Sequence, residues 1–186
     1  HMDHVQGLFR ARWGCDTRLP VIGPEDPVGC DDLFKHPGII DFSRIARPYE
    51  PIRLGGLDIT PLPLNHSRPT LGYRLAQNGH SLAYLTDTSG LPADTENHLV
   101  DDPPDLMVLD CSFAPREKPP RNHNDLTRAL DIVEKVKPGR CFLTHIHHRF
   151  DEWLIDNADK LPGGVEVARD GQQLVLSDDS FRRVRF

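Results

Sequence analysis

No apolar run in this sequence approaches the roughly 20 residues that span a bilayer, and the N-terminus lacks the basic-then-apolar pattern of a signal peptide. A cytoplasmic protein without membrane partners is therefore expected. Cysteine is sparse: Cys15, Cys30, Cys111 and Cys141 lie far apart, and no two form a CxxC pair. Neither a disulfide framework nor a zinc ribbon is suggested, so the thiols are read as reduced. Positive charge is in deficit, with 22 Lys plus Arg against 28 Asp plus Glu and a formal net charge of −6. This balance argues against a broad electrostatic footprint for nucleic acid or anionic membrane, although a small anion can still be held by metal ions. No repeat, low-complexity tract or linker divides the chain. With 186 residues, 38% of them hydrophobic, residues 1–186 are expected to form a single globular unit around one core.

What the chain has in quantity is histidine, ten in all, and their value depends on the elements around them. Residues 3–13 read as a short helix, 21–24 as a buried strand ending in a turn, and 25–36 as a helix. Residues 57–64, 72–76 and 81–86 are β-rich runs, and Asn78-Gly79 between the last two is a hairpin signal, so an antiparallel meander is expected. A helix over 93–100, the Pro103-Pro104 break and an apolar strand over 106–109 follow, then a charged, proline-containing loop over 114–122. Leu126, Ala129, Leu130 and Val133 share one helix face, with Asn124 placed to cap its N-terminus. A strand over 141–144, a helix from about Asp151 and strands over 165–168 and 174–177 complete the chain.

His66, Asp87, Asp110 and His145 each stand just after an apolar strand, where side chains can converge on one sheet edge. Taken singly, a strand-end Asp reads as an Asx turn or helix cap and a strand-end His as a solvated side chain. Recurrence on several strands points to ligands gathered onto one rim. His1, Asp3 and His4 add imidazole and carboxylate groups at the start of a helix. Oxygen and imidazole ligands without thiolate suit Mn²⁺, Zn²⁺ or Fe²⁺.

The tetrapeptide HMDH followed by His66, Asp87 and His145 resembles the HxHxDH…H…D…H ligand series of the metallo-β-lactamase superfamily, and only the first histidine of that series has no counterpart here. The segments DHVQGL, DDLFKHPGI, PLPLNHS, DTSGLP, DCS, PRNHNDL and LTHIHHRFD look like the phosphoribosyl 1,2-cyclic phosphate phosphodiesterases of the bacterial carbon-phosphorus lyase pathway. That likeness runs from residue 1 to about residue 175. It implies an α/β fold, the αβ/βα sandwich of two mixed sheets flanked by helices, and two divalent metal ions, Mn²⁺ or Zn²⁺. It also implies that His1 and His66 bind the first metal, that Asp3, His4 and His145 bind the second, that Asp87 bridges them, and that His123 is catalytic.

These implied roles agree with elementary chemistry. Two metal ions roughly 3.5–4 Å apart clamp the attacking and leaving oxygens of an in-line displacement and generate hydroxide near neutral pH. Asp87 suits the bridge, because a carboxylate offers two oxygens whereas a neutral imidazole offers one lone pair. His123 precedes a predicted helix, where it could protonate a departing alkoxide or stabilise charge on phosphorus. His145, His147 and His148 are too close in sequence for all three to reach one site. In the resembled family the position of His148 belongs to a structural zinc site completed by N-terminal cysteines, so His148 is a zinc ligand only in a longer protein. His36, His80 and His98 have no motif context and are read as surface or cap residues. Arg68, Arg116, Lys118 and Arg121 lie near motif residues, but exposed loop cations are usually solvated and no role is assigned to them.

Members of the resembled family carry several strands before the first metal motif, whereas this chain begins inside it. The first ligand histidine, the cysteine cluster and about half of one sheet are thus expected to lie in a longer parent, and the 186-residue chain alone is expected to fold poorly. The activity implied for that parent is hydrolysis of 5-phosphoribosyl 1,2-cyclic phosphate to ribose 1,5-bisphosphate in phosphonate catabolism. The alternatives are a tRNA 3′-processing nuclease, a general 2′,3′-cyclic nucleotide phosphodiesterase, and a metal-binding scaffold with a degenerate site. The expected partner is a small anionic cyclic phosphate, with nucleic acid excluded as main substrate and homodimerisation left open.

Overall fold

A computed structural model describes residues 2–11, 18–118, 120–177 and 180–184, and side chains within residues 4–11, 18–118 and 120–175. Helix α1 (Met2–Ala11) opens the chain, followed by β1 (Leu19–Gly23), α2 (Asp31–Lys35), β2 (Ile40–Ile45) and β3 (Ile52–Leu54). Then come β4 (Leu57–Leu64), β5 (Thr70–Gln77), β6 (His80–Leu85), α3 (Ala93–Asp101) and β7 (Leu106–Asp110). Helix α4 (Leu126–Val136), β8 (Arg140–Thr144), α5 (His148–Asn157), β9 (Val165–Val167), β10 (Gln173–Ser177) and β11 (Ser180–Val184) complete the order.

Seven strands form one mixed sheet in the order β3-β4-β5-β6-β7-β8-β9, flanked by helices, which is the α/β architecture expected of the metallo-β-lactamase fold. Its first half is the antiparallel meander, closed between β5 and β6 by Asn78 (φ 52°) and Gly79 (φ 80°). Two successive positive φ values are what a tight hairpin requires, and Asn and Gly adopt them at least cost. The second half is parallel, because α3, α4 and α5 each return the chain to the same end of the sheet. Strand β7 is correspondingly apolar along its length, with Leu106, Met107 and Leu109 almost wholly enclosed. Leu62, Leu85, Leu99, Leu126, Ile132, Leu143 and Phe150 extend this core between sheet and helices.

The direction of each strand decides where the chemistry falls. Two antiparallel pairings separate β4 from β6, so β4 runs parallel to β6, β7 and β8. All four therefore end on one edge, and the residues that follow them meet there. Outside this sheet, β1 and β2 form a parallel pair and β10 and β11 an antiparallel one. No helix among the described residues is long and apolar enough to cross a membrane.

Several local expectations require correction. Only Asp31–Lys35 of residues 25–36 is helical. Gly29 takes a left-handed φ of 54°, and Asp26 folds its carboxylate back onto the Val28 N–H, giving a turn where a helix was expected. Strand β1 is partly exposed, not buried. Helix α4 is capped by Asp125, whose carboxylate accepts from the Arg128 N–H, whereas Asn124 is buried and bonds elsewhere. Helix α5 begins at His148, ahead of Asp151, because His147 caps it by accepting from the Arg149 N–H.

Candidate metal centre

The shared edge gathers Asp87 after β6, Asp110 at the end of β7, His145 after β8 and His66 after β4, with His4 of α1 laid against them. Asp87 lies at the centre. His4 Nε2 is 3.0 Å from its Oδ2 and His66 Nε2 3.8 Å from the same atom, while His145 Nε2 is 3.2 Å from Oδ1. The backbone aims two of these groups by an unusual route, for Asp87 and His145 both adopt left-handed φ, 59° and 62°. This conformation costs of order 1–3 kcal/mol, and Asp and His are among the residue types that tolerate it best.

The hydrogen bonds behind the ring fix its members. His66 Nδ1 pairs with the Asn122 carbonyl at 3.0 Å, so it carries the proton and leaves the Nε2 lone pair facing Asp87. His145 Nδ1 pairs with Ser112 Oγ at 3.0 Å, again leaving Nε2 toward Asp87. Metal-ligating histidines are held by this kind of outer partner.

The two aspartates differ sharply. Asp110 is fully buried, and both its oxygens are occupied: Oδ2 accepts from the Thr88 N–H (3.2 Å) and from His123 Nδ1 (2.8 Å), and Oδ1 from the Asn124 N–H (3.3 Å) and Ser112 Oγ (3.4 Å). Asp87 Oδ1 is buried yet accepts no hydrogen bond. An orphaned carboxylate oxygen is costly, and a cation beside it removes the cost. Although Asp87, Asp110, His123 and His145 place one donor atom each within 4.8 Å of one another, the Asp110 oxygens already have partners. Asp87 with His4, His66 and His145 is thus the set that fits divalent ions, with imidazole and carboxylate donors and no thiolate. The buried thiols of Cys111 and Cys141 are pushed up by burial, that of Cys141 to about 12, and stay protonated.

His123 completes the cluster. Its ring stacks on His145 with centroids 4.7 Å apart and lies 5.4 Å from that of His66. Asn124 pins the loop that carries it, accepting from the Gly90 N–H (2.7 Å) and donating to the Asp110 carbonyl (3.0 Å). Arg128 of α4 grips the same loop at the Pro120 carbonyl and ties it to Ser89 Oγ in the loop after β6. Asp110 was recognised in sequence as a strand-end carboxylate but given no role. The supporting roles of Asn124, Ser112 and Arg128 left no signal, since their partners are distant in sequence.

The remaining sequence candidates fall elsewhere. His1 lies outside the described residues, as does the side chain of Asp3. His148 is 81% exposed and pairs with Glu152 at 3.3 Å. His36 follows α2 as its exposed C-cap, and His98 packs its ring against Tyr49.

The chain is similar to known proteins in sequence and in fold. Residues 1–146 match the family described as a beta-lactamase superfamily domain. Among solved structures, a diphosphatase from the PhnP family superposes with a TM-score of 0.69 at 29% identity, covering 91% of this chain and 63% of its own length. The metallo-beta-lactamase fold protein YhfI from Bacillus subtilis gives a TM-score of 0.73 at 21% identity, over 92% of this chain and 72% of that one. Human tRNase Z, short form, gives 0.58 at 16% identity, over 83% and 65%. The last two likenesses establish fold alone. No curated protein sequence matches significantly. The chain thus spans less than two thirds of the PhnP-family structure. The sheet edge, the carboxylate-centred histidine ring and the match over residues 1–146 place this chain in the metallo-β-lactamase superfamily.

Proposed function

We propose that this chain carries the catalytic machinery of a phosphodiesterase that opens 5-phosphoribosyl 1,2-cyclic phosphate to ribose 1,5-bisphosphate. The observation that carries this reading is the division of labour between the two buried aspartates. Asp87 leaves an oxygen free among three imidazoles, while Asp110 uses its oxygens to hold His123. The likeness to a diphosphatase of the PhnP family supports phosphorus as the reacting centre. The net charge of −6 speaks against an RNA substrate.

In this reading His4, His66, His145 and Asp87, joined by His1 and Asp3, would hold two divalent ions, Mn²⁺ or Zn²⁺, with the Asp87 carboxylate offering an oxygen to each. Bound ions would supply Lewis-acid stabilisation of the phosphoryl oxygens and acidify water. The chain's own contribution is the proton. Asp110 accepts from His123 Nδ1, which fixes the tautomer and stabilises an imidazolium. As water adds to phosphorus and gives up one proton to solvent, the bond from phosphorus to the 2-oxygen breaks and His123 delivers its proton to the departing 2-alkoxide. His66 also positions this loop, because its ring takes the carbonyl of Asn122, the residue just before His123.

Metal analysis beside hydrolysis of the cyclic ester tests these roles. His123→Ala is expected to lower kcat by about 10²–10⁴-fold with metal retained, and Asp87→Ala to lose metal and activity together. Turnover surviving in His123→Ala removes that residue from the mechanism. Faster cleavage of precursor tRNA or 2′,3′-cyclic nucleotides than of the ribose ester transfers the assignment to those substrates. Bound metal without hydrolysis of any of these esters leaves a scaffold.

A further inference from the structure

Phe113 follows the DCS segment at the end of β7, and its ring stands edge-on to His123 with centroids 6.5 Å apart and against His147 at 5.7 Å. The Arg116 guanidinium rests on this ring, its carbon 3.9 Å from the centroid. The Arg116 backbone is fixed as well, its N–H donating to Asp125 Oδ2 at 3.0 Å, and Asp125 is anchored as the cap of α4. One aromatic ring thus separates an oriented, exposed cation from the imidazole that serves as proton donor.

Arg116 differs from the other cations near the motifs. Arg68 is tied to Asp26 Oδ2 (2.6 Å) and the Gly29 carbonyl (2.7 Å). Arg128 is committed to Ser89 and Pro120. Lys118 and Arg121 are exposed, with no ring to orient them among the described residues. Among the described residues no carboxylate pairs with the Arg116 guanidinium. A guanidinium held over a ring can still present the planar N–H fork that matches a phosphate. Because the ring already holds the side chain, little rotamer freedom remains to be lost on binding.

We propose that Arg116, held on Phe113, binds a second phosphoryl group of the substrate, remote from the one hydrolysed, and so makes the site selective for esters carrying two phosphates. This rests on the phosphodiesterase reading and adds to it the residue that recognises the second phosphate.

The test is binding, independent of turnover: calorimetric titration of the metal-loaded protein with ribose 1,5-bisphosphate and with ribose 1-phosphate. The native protein is expected to favour the bisphosphate by about tenfold or more, the size of one charge-assisted contact. Arg116→Ala should remove most of that ratio, Arg116→Lys should keep part of it, and Phe113→Leu should lower it with the charge intact. No preference in the native protein, or an unchanged ratio in Arg116→Ala, overturns the proposal; an unchanged ratio in Phe113→Leu overturns the role of the ring. Hydrolysis of the cyclic ester with and without its 5-phosphate separates the two readings. Selective binding without hydrolysis of either ester condemns the reaction and leaves Arg116 in place. Equal kcat/KM for both esters condemns Arg116 and leaves the reaction.

Discussion

Asp87 and Asp110 are both buried strand-end carboxylates, and hydrogen bonding alone separates their roles. Asp110→Asn would turn one saturated acceptor into a donor facing donors, so it is expected to cost about 1–3 kcal/mol of stability by denaturant titration. It should also release His123 from its tautomer and lower kcat by ~10²-fold or more with metal content unchanged. Loss of metal in that variant would show Asp110 to be a ligand. The strand-end placement of both aspartates was visible in sequence, but not which was free. The four groups that saturate Asp110 come from Thr88, Ser112, His123 and Asn124, and only the fold assembles them. The two buried thiols give a pH prediction. Burial raises the Cys141 thiol from 9.0 to about 12 and moves the Cys111 thiol in the same direction. The folded chain therefore keeps protons that the unfolded chain releases, so stability is complete below pH 9 and falls as pH rises from there toward 12. Melting temperature against pH checks this sign, and Cys141→Ser should flatten the alkaline slope. A native chain whose Cys111 and Cys141 are alkylated at pH 8 without unfolding would contradict their burial.

At the level of elements, the regular pieces were legible wherever local chemistry and tertiary demand agreed. Asn78-Gly79 specifies its hairpin by φ alone, and the spacing of Leu126, Ala129, Leu130 and Val133 marks the core side of α4 in part: Leu126 and Ala129 are buried, Leu130 and Val133 half-buried, and Ile132 and Val136 complete the buried face. The cap of α4 was misread by one residue, because Asn124 and Asp125 are both good caps and only the demand of the Asp110 and Gly90 backbones removes Asn124 from the choice. Asp125→Ala is accordingly expected to cost about 1–2 kcal/mol, and Asn124→Asp, whose lost amide donated to the Asp110 carbonyl, to harm activity more than helix stability. Stability and kcat measured on both variants check the distinction. In β5, Gly72 faces strand β6 so closely that a Cβ would lie 2.8 Å from the Tyr84 carbonyl oxygen and 2.9 Å from a Leu85 methyl. Gly72→Ala should therefore destabilise the meander by roughly 1–3 kcal/mol. A midpoint unchanged in denaturant would show that the strands part without cost.

Across the whole molecule, the site follows from topology. Two helical returns and two antiparallel reversals bring β4, β6, β7 and β8 to one edge, and an open α/β sheet binds its ligands at such carboxyl ends. The recurrence of His and Asp after apolar strands made that rim readable before any coordinates. The small β1–β2 sheet was less readable, since its strands are short and partly exposed and carry little apolar alternation. A metal ion on the rim would join β4, β6 and β8 to α1 in the proposed site, so loading should raise the melting temperature and chelation should lower it. The most direct test of the central claim is phosphorus NMR of the metal-loaded protein incubated with 5-phosphoribosyl 1,2-cyclic phosphate. The account predicts conversion of the cyclic phosphate signal to that of an acyclic 1-phosphate with the 5-phosphate intact, abolished by chelator and by Asp87→Ala. A cyclic signal that persists with metal bound, or release of the 5-phosphate instead, would contradict it.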